Sequence, residues 1–73
     1  MKLGIYLYTN PFDKKYKHYI LVTDKDDYGY NCINLTTKYK NWFQARSLVA
    51  NNLKLIHECD PNKAIDLYPE YFI

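Results

Sequence analysis

His18 and Thr36 are the residues of this chain best suited to chemistry, because an imidazole titrates near neutral pH and can move a proton to or from a nearby hydroxyl. An antiparallel hairpin opening at His18 and closing at Thr36 or Thr37 would bring these strand ends to one edge, beside Lys17 and Lys38. A base, a hydroxyl and cations in such a cluster could cleave RNA without metal, the histidine moving a proton and a lysine stabilising the phosphorane. Polar strand ends are also ordinary, and the same residues can be purely structural.

The other chemistries are poorly provided for. Cys32, His57 and Cys59, with His18 further off, are the only soft ligands, and no CxxC or HxxxH pair organises them, so no metal site is expected. Gly4 and Gly29 are the sole glycines, which excludes a phosphate-cradling P-loop or a dinucleotide fingerprint, and no cofactor is expected. Ser47 is the only serine and falls on the polar face of an expected helix, while Asp24, Asp26 and Asp27 read as a solvated turn. What remains is a set of aromatic and basic residues suited to binding: Tyr16, Lys17, Tyr19, Lys38, Tyr39, Lys40 and Arg46.

The elements that must position these groups follow from periodicity. Leu3, Ile5 and Leu7 alternate with Gly4, Tyr6 and Tyr8 as a first strand, ended by Asn10-Pro11 and an exposed basic loop. Residues 18–23 are dense in β-formers and make a second strand. A turn over 24–29, with Gly29 free to take positive φ, leads into a third strand from Tyr30 to Thr36, with Cys32, Asn34 and Thr36 on one face and Ile33 and Leu35 on the other. Trp42, Ala45, Val49 and Leu53 then recur at helical spacing, which predicts an amphipathic helix opening near Asn41 and closing at Asn51-Asn52. Residues 53–58 alternate as a fourth strand, and Ala64 to Leu67 read as a short fifth. The aromatic end, Tyr68, Tyr71 and Phe72, is expected to dock against the body.

The expectation is one α+β domain over residues 1–73: a small antiparallel sheet of four to five strands with one amphipathic helix. With 73 residues the core is thin, but 48% hydrophobic and 18% aromatic residues are too many for a disordered chain. No run approaches the ~18 apolar residues of a membrane span, and the alternating start is unlike a signal peptide, so a cytoplasmic protein with free thiols is expected. The net charge of +2 hides an asymmetry: residues 1–54 hold nine of the ten Lys and Arg but only four of the eight acids. Such a body attracts anionic partners, and a homodimer is also compatible with it, because sheet edges can pair between copies.

Gly4-Ile5-Tyr6-Leu7-Tyr8, Asn10-Pro11-Phe12, His18-Tyr19-Ile20-Leu21-Val22 and Asn34-Leu35-Thr36-Thr37 together resemble the opening of PemK/MazF-like toxins. The resemblance covers about the first half of the chain. It implies an SH3-like, partly open barrel and metal-independent endoribonuclease activity, with His18 or Lys17 where the family has a catalytic arginine and Thr36 where it has a catalytic threonine. Here His18-Tyr19 stands in place of the family's Arg-Pro.

Three functions are therefore open from the sequence. The first is a non-enzymatic binding module of the kind carried by phages and mobile elements, docking on a host protein or nucleoprotein complex, such as a defence nuclease, and inhibiting it. The others are an endoribonuclease of the PemK/MazF type and a basic, aromatic nucleic-acid binder.

Overall fold

Ile20, Leu21 and Val22 are consecutive and all buried, which a strand permits only when both faces of its sheet are covered. In the computed structural model, which describes residues 1–73, they lie in β2 (Lys17–Lys25). The other strands are β1 (Gly4–Thr9), β3 (Gly29–Asn34), β4 (Lys40–Gln44) and β5 (Leu53–Glu58). All pairings are antiparallel and the spatial order is β4-β3-β2-β1-β5, an open five-stranded sheet with β4 and β5 at its edges.

Alternation along the strands makes two cores. One face gathers Tyr6, Ile20, Val22, Cys32 and Phe43, closed over by Val49 and Ala50 of a single helical turn, α1 (Leu48–Asn51). The other gathers Ile5, Leu21, Leu35 and Ala64 beneath the C-terminal segment, where α2 (Ala64–Leu67) and a 3-10 turn over Pro69–Phe72 bring Tyr68, Tyr71 and Phe72 onto the sheet. The expected docking of the aromatic end is therefore observed, as is the separation of Cys32 from Ile33 and Leu35.

Two element assignments fail. No helix spans 41–52: residues 40–44 pair with β3 as β4, and Phe43, outside the helical pattern, is the buried residue of that stretch while Trp42 stays 49% exposed. Pairing to a sheet edge overrides a periodicity that four residues satisfied by coincidence. Ser47 consequently caps α1, accepting from the Ala50 amide, and is not mid-helix. The second failure is Ala64–Leu67, which is helical. Asp60 accepts from the Asn62 amide and Pro61 opens a 3-10 turn that runs straight into α2, so capping chemistry outweighs a short apolar run.

Gly29 is used differently from expectation. It has no positive φ, but a Cβ there would lie 2.2 Å from the Phe43 carbonyl oxygen and against the Trp42 indole. Gly4 has φ +143, and a Cβ there would lie 2.1 Å from the His57 carbonyl oxygen, beside the bulge where β1 meets β5.

Candidate functional site

The end of the sheet where β1 and β3 finish and β2 and β4 begin is built by two side-chain-braced loops. In residues 10–16, Asn10 Oδ1 accepts from the Phe12 amide, Asp13 Oδ1 accepts from the Lys15 amide, and the Asn10 amide donates to the Tyr16 carbonyl. These Asx turns deliver Tyr16 to the start of β2, where its ring lies 4.2 Å from that of His18. The second loop hangs on Asn34, which is only 8% exposed. Asn34 Oδ1 accepts from the Thr36 and Thr37 amides, each at 3.0 Å, and Lys38 turns the chain with φ 72. With that oxygen occupied, Asn34 Nδ2 donates to His18 Nδ1 at 2.9 Å. The arrangement assigns the His18 proton to Nε2 and fixes the ring.

His18 and Asn34 thereby wall a cleft of about 380 Å³ between the sheet and α1. Ile20, Cys32, Phe43 and Val49 contribute its apolar lining, and Tyr8, Tyr16, Thr37 and Asn41 add polar tips. No charged side chain lines it. Trp42 touches the cleft, but alternation with Asn41 and Phe43 turns its indole to the opposite face, where Nε1 donates to Asp26 Oδ2. Burial pushes the Cys32 thiol pKa up, partly opposed by a backbone hydrogen bond at Asn41, so the thiol is protonated and a poor nucleophile. A second depression at the far end of the sheet is larger, about 600 Å³, but more open, and five of its eight lining residues are charged: Lys2, Asp24, Lys25, Glu58 and Asp60.

Charge follows the same axis. Residues 10–18 and 34–41, which make the cleft end, carry five lysines against Asp13 alone, whereas Asp24, Asp26 and Asp27 cluster at the opposite hairpin. Within residues 1–54, most of the lysines therefore gather at one end of the sheet and the acids of the β2–β3 hairpin at the other.

The sequence-derived site residues are only partly assembled. Tyr16 and His18 meet at the cleft. Thr36 does not join them: its Oγ1 accepts from the Tyr19 amide at 3.1 Å, continuing the β2–β3 ladder, and Thr37 lines the cleft instead. Lys17 and Tyr19 alternate with His18 and so lie on the opposite face, where the Tyr19 ring meets Tyr71 edge-on at 4.8 Å. Lys38 Nζ donates to the Phe72 carbonyl at 2.9 Å. Tyr39 and Lys40 are exposed beside the cleft end, and Arg46 stands beyond the other end of β4.

No family model, curated protein or solved structure matches the chain.

Sequence reasoning missed Tyr8, Asn34 and Asn41. Asn34 carried a usable signal, since an Asn closing a strand ahead of two threonines invites an Asx turn. Asn41 was hidden by the helix assignment.

Proposed function

We propose that this protein is a non-enzymatic binding module that docks on a host protein or nucleoprotein complex through the cleft end of its sheet and modulates or inhibits it, as accessory proteins of phages and mobile elements do. The observation that carries this reading is the uncharged, apolar-lined cleft of about 380 Å³ at the lysine-rich end of the domain. Concave apolar sites with a few oriented polar groups are the usual form of a recognition site. The strand order β4-β3-β2-β1-β5, with one helical turn between the last two strands, supports an SH3-like, partly open barrel as the scaffold.

The endoribonuclease reading has less support. His18 Nδ1 is engaged by Asn34, the Thr36 hydroxyl accepts from the Tyr19 amide, and no cation lines the cleft to meet a phosphorane. The test is an affinity pull-down from host-type lysate, with and without nuclease treatment, followed by mass spectrometry. Retention of one protein or complex after nuclease treatment is the expected result. Cargo that vanishes with the nucleic acid, together with RNA cleavage abolished by His18→Ala and Thr36→Ala, would overturn it.

A further inference from the structure

The polar groups of the cleft are unequally committed. Asn34 Oδ1 holds two backbone amides, and the Asn34 amide is spent on His18. The Nε2–H of His18, the hydroxyls of Tyr8 and Tyr16 and the Asn41 side-chain amide make no hydrogen bond within the chain, and the Thr37 hydroxyl engages only the Tyr39 amide, as acceptor at 3.5 Å. His18 Nε2–H can only donate, whereas the hydroxyls and the Asn41 amide can donate or accept, so the fixed demand of the cleft is for an acceptor. An occupant that complements it presents acceptors without a negative charge, and backbone carbonyl groups have that character.

Two observations separate a peptide from a nucleic acid here. Base stacking needs free aromatic faces, and inside the cleft these are few: one side of the Tyr16 ring meets His18 at 4.2 Å, Tyr8 is half-buried, and the Trp42 indole is held on the other side of the sheet, while the exposed Phe12 and Tyr39 stand outside the cleft. The apolar lining combines Ile20, Cys32 and Val49 with Phe43, which receives a branched or aromatic side chain better than the polar edge of a base. Outside the cleft, Lys14, Lys15 and Lys40 are exposed and make no ion pair, since the chain's one ion pair joins Lys2 to Glu58. They complement acidic residues flanking the inserted group.

Building on the binding-module reading, we infer that the cleft takes an extended acidic peptide segment of a partner protein, which inserts an uncharged apolar side chain and turns its carbonyls to His18 Nε2–H, Asn41 and Thr37. Recognition is thus shared between a neutral anchor pocket and a cationic surround, and the surround sets the association rate and its salt dependence.

The experiment is fluorescence anisotropy with labelled peptides carrying a Leu-Phe core between glutamates, alongside versions with an Ala-Ala core, with lysine flanks, and an oligothymidylate of similar length. Amide chemical shifts of the protein locate each contact. The acidic Leu-Phe peptide should bind and shift the amides around His18, Cys32 and Asn41. Asn41→Ala and Tyr16→Ala, both at exposed positions, should weaken it about tenfold each, the loss expected for one strong interface contact. The Ala-Ala and lysine-flanked peptides should bind at least as weakly. Equal binding of the Ala-Ala version, or displacement of the peptide by oligothymidylate at the cleft, overturns the peptide assignment while leaving a binding site at the cleft. Absence of any cleft shift with all four probes also overturns it, and the binding-module reading itself then falls only if the lysate pull-down is unaffected by the same two variants.

Discussion

Removing the Asn34 side chain tests whether one amide organises the cleft end. Asn34→Ala deletes three hydrogen bonds, two to the turn amides of Thr36 and Thr37 and one to His18. Each contributes about 1 kcal/mol net. The freed amides belong to an exposed turn that water can reach, so the loss falls below the simple sum, at about 2 kcal/mol. For a domain this small each kcal/mol moves Tm by about 4–8 °C, so a drop of about 8–16 °C is expected in thermal unfolding followed by circular dichroism. Asn34→Asp is the control. It keeps the acceptor for both amides but offers His18 Nδ1 no donor, so it should lose less than half as much stability while Nδ1 becomes protonated, visible in nitrogen-15 spectra of the ring. If Asn34→Ala stays within about 0.5 kcal/mol of the parent, or if His18 Nδ1 in Asn34→Asp stays unprotonated, the proposed hold on the cleft wall is refuted.

Gly4→Ala should cost at least about 2 kcal/mol in urea unfolding, because the new Cβ meets the His57 carbonyl and φ +143 disfavours any L side chain; a neutral result would contradict the close β1–β5 approach. Deleting residues 64–73 removes Ala64, Tyr68, Tyr71 and Phe72 from the face holding Ile5, Leu21 and Leu35, and loss of cooperative unfolding is expected. Stability should also fall at both pH extremes, as Tm measured across pH would show. Burial holds the Tyr6 phenol and the Cys32 thiol above their ordinary pKa values, so the folded state binds these protons more tightly. Their contribution is full below the ordinary range of roughly 8.5 to 10 and is lost as pH rises through the raised values. The Asp26 carboxylate is held below its ordinary value by the Tyr28 and Gly29 amides and then the Trp42 indole, so its contribution is full above about pH 4 and lost in stronger acid, and Asp26→Asn should flatten that acid limb.

Strands β1, β2, β3 and β5 were legible because each has a run of β-formers or an alternation that burial on one or both faces requires. β5 falls on residues 53–58 as read from the sequence, although it carries a bulged register against β1. The stretch 41–52 was not legible, since Trp42, Ala45, Val49 and Leu53 satisfy helical spacing while the decisive fact, a free β3 edge for residues 40–44 to join, is non-local. The site suffered from the same blindness. His18 and Tyr16 could be singled out by type, and the hairpin correctly brought the β3 end to the β2 start. Which face each side chain takes depends on the strand's phase, and that phase sends Lys17 and Tyr19 away from the cleft while placing Asn34, opposite Ile20, on the same face as His18. Thr36 was credited with a free hydroxyl because a sequence does not reveal that the Tyr19 amide would need an acceptor at the end of the ladder.

Photo-crosslinking from two positions tests most directly whether the cleft end is the docking surface. A benzophenone side chain replaces Tyr16 at the cleft, or Tyr28, which is 76% exposed on the hairpin at the opposite end of the sheet. In nuclease-treated host lysate, position 16 should capture one protein that position 28 does not, and a Leu-Phe acidic peptide should compete for it. Equal capture from both positions, or capture from 28 alone, would contradict docking through the cleft.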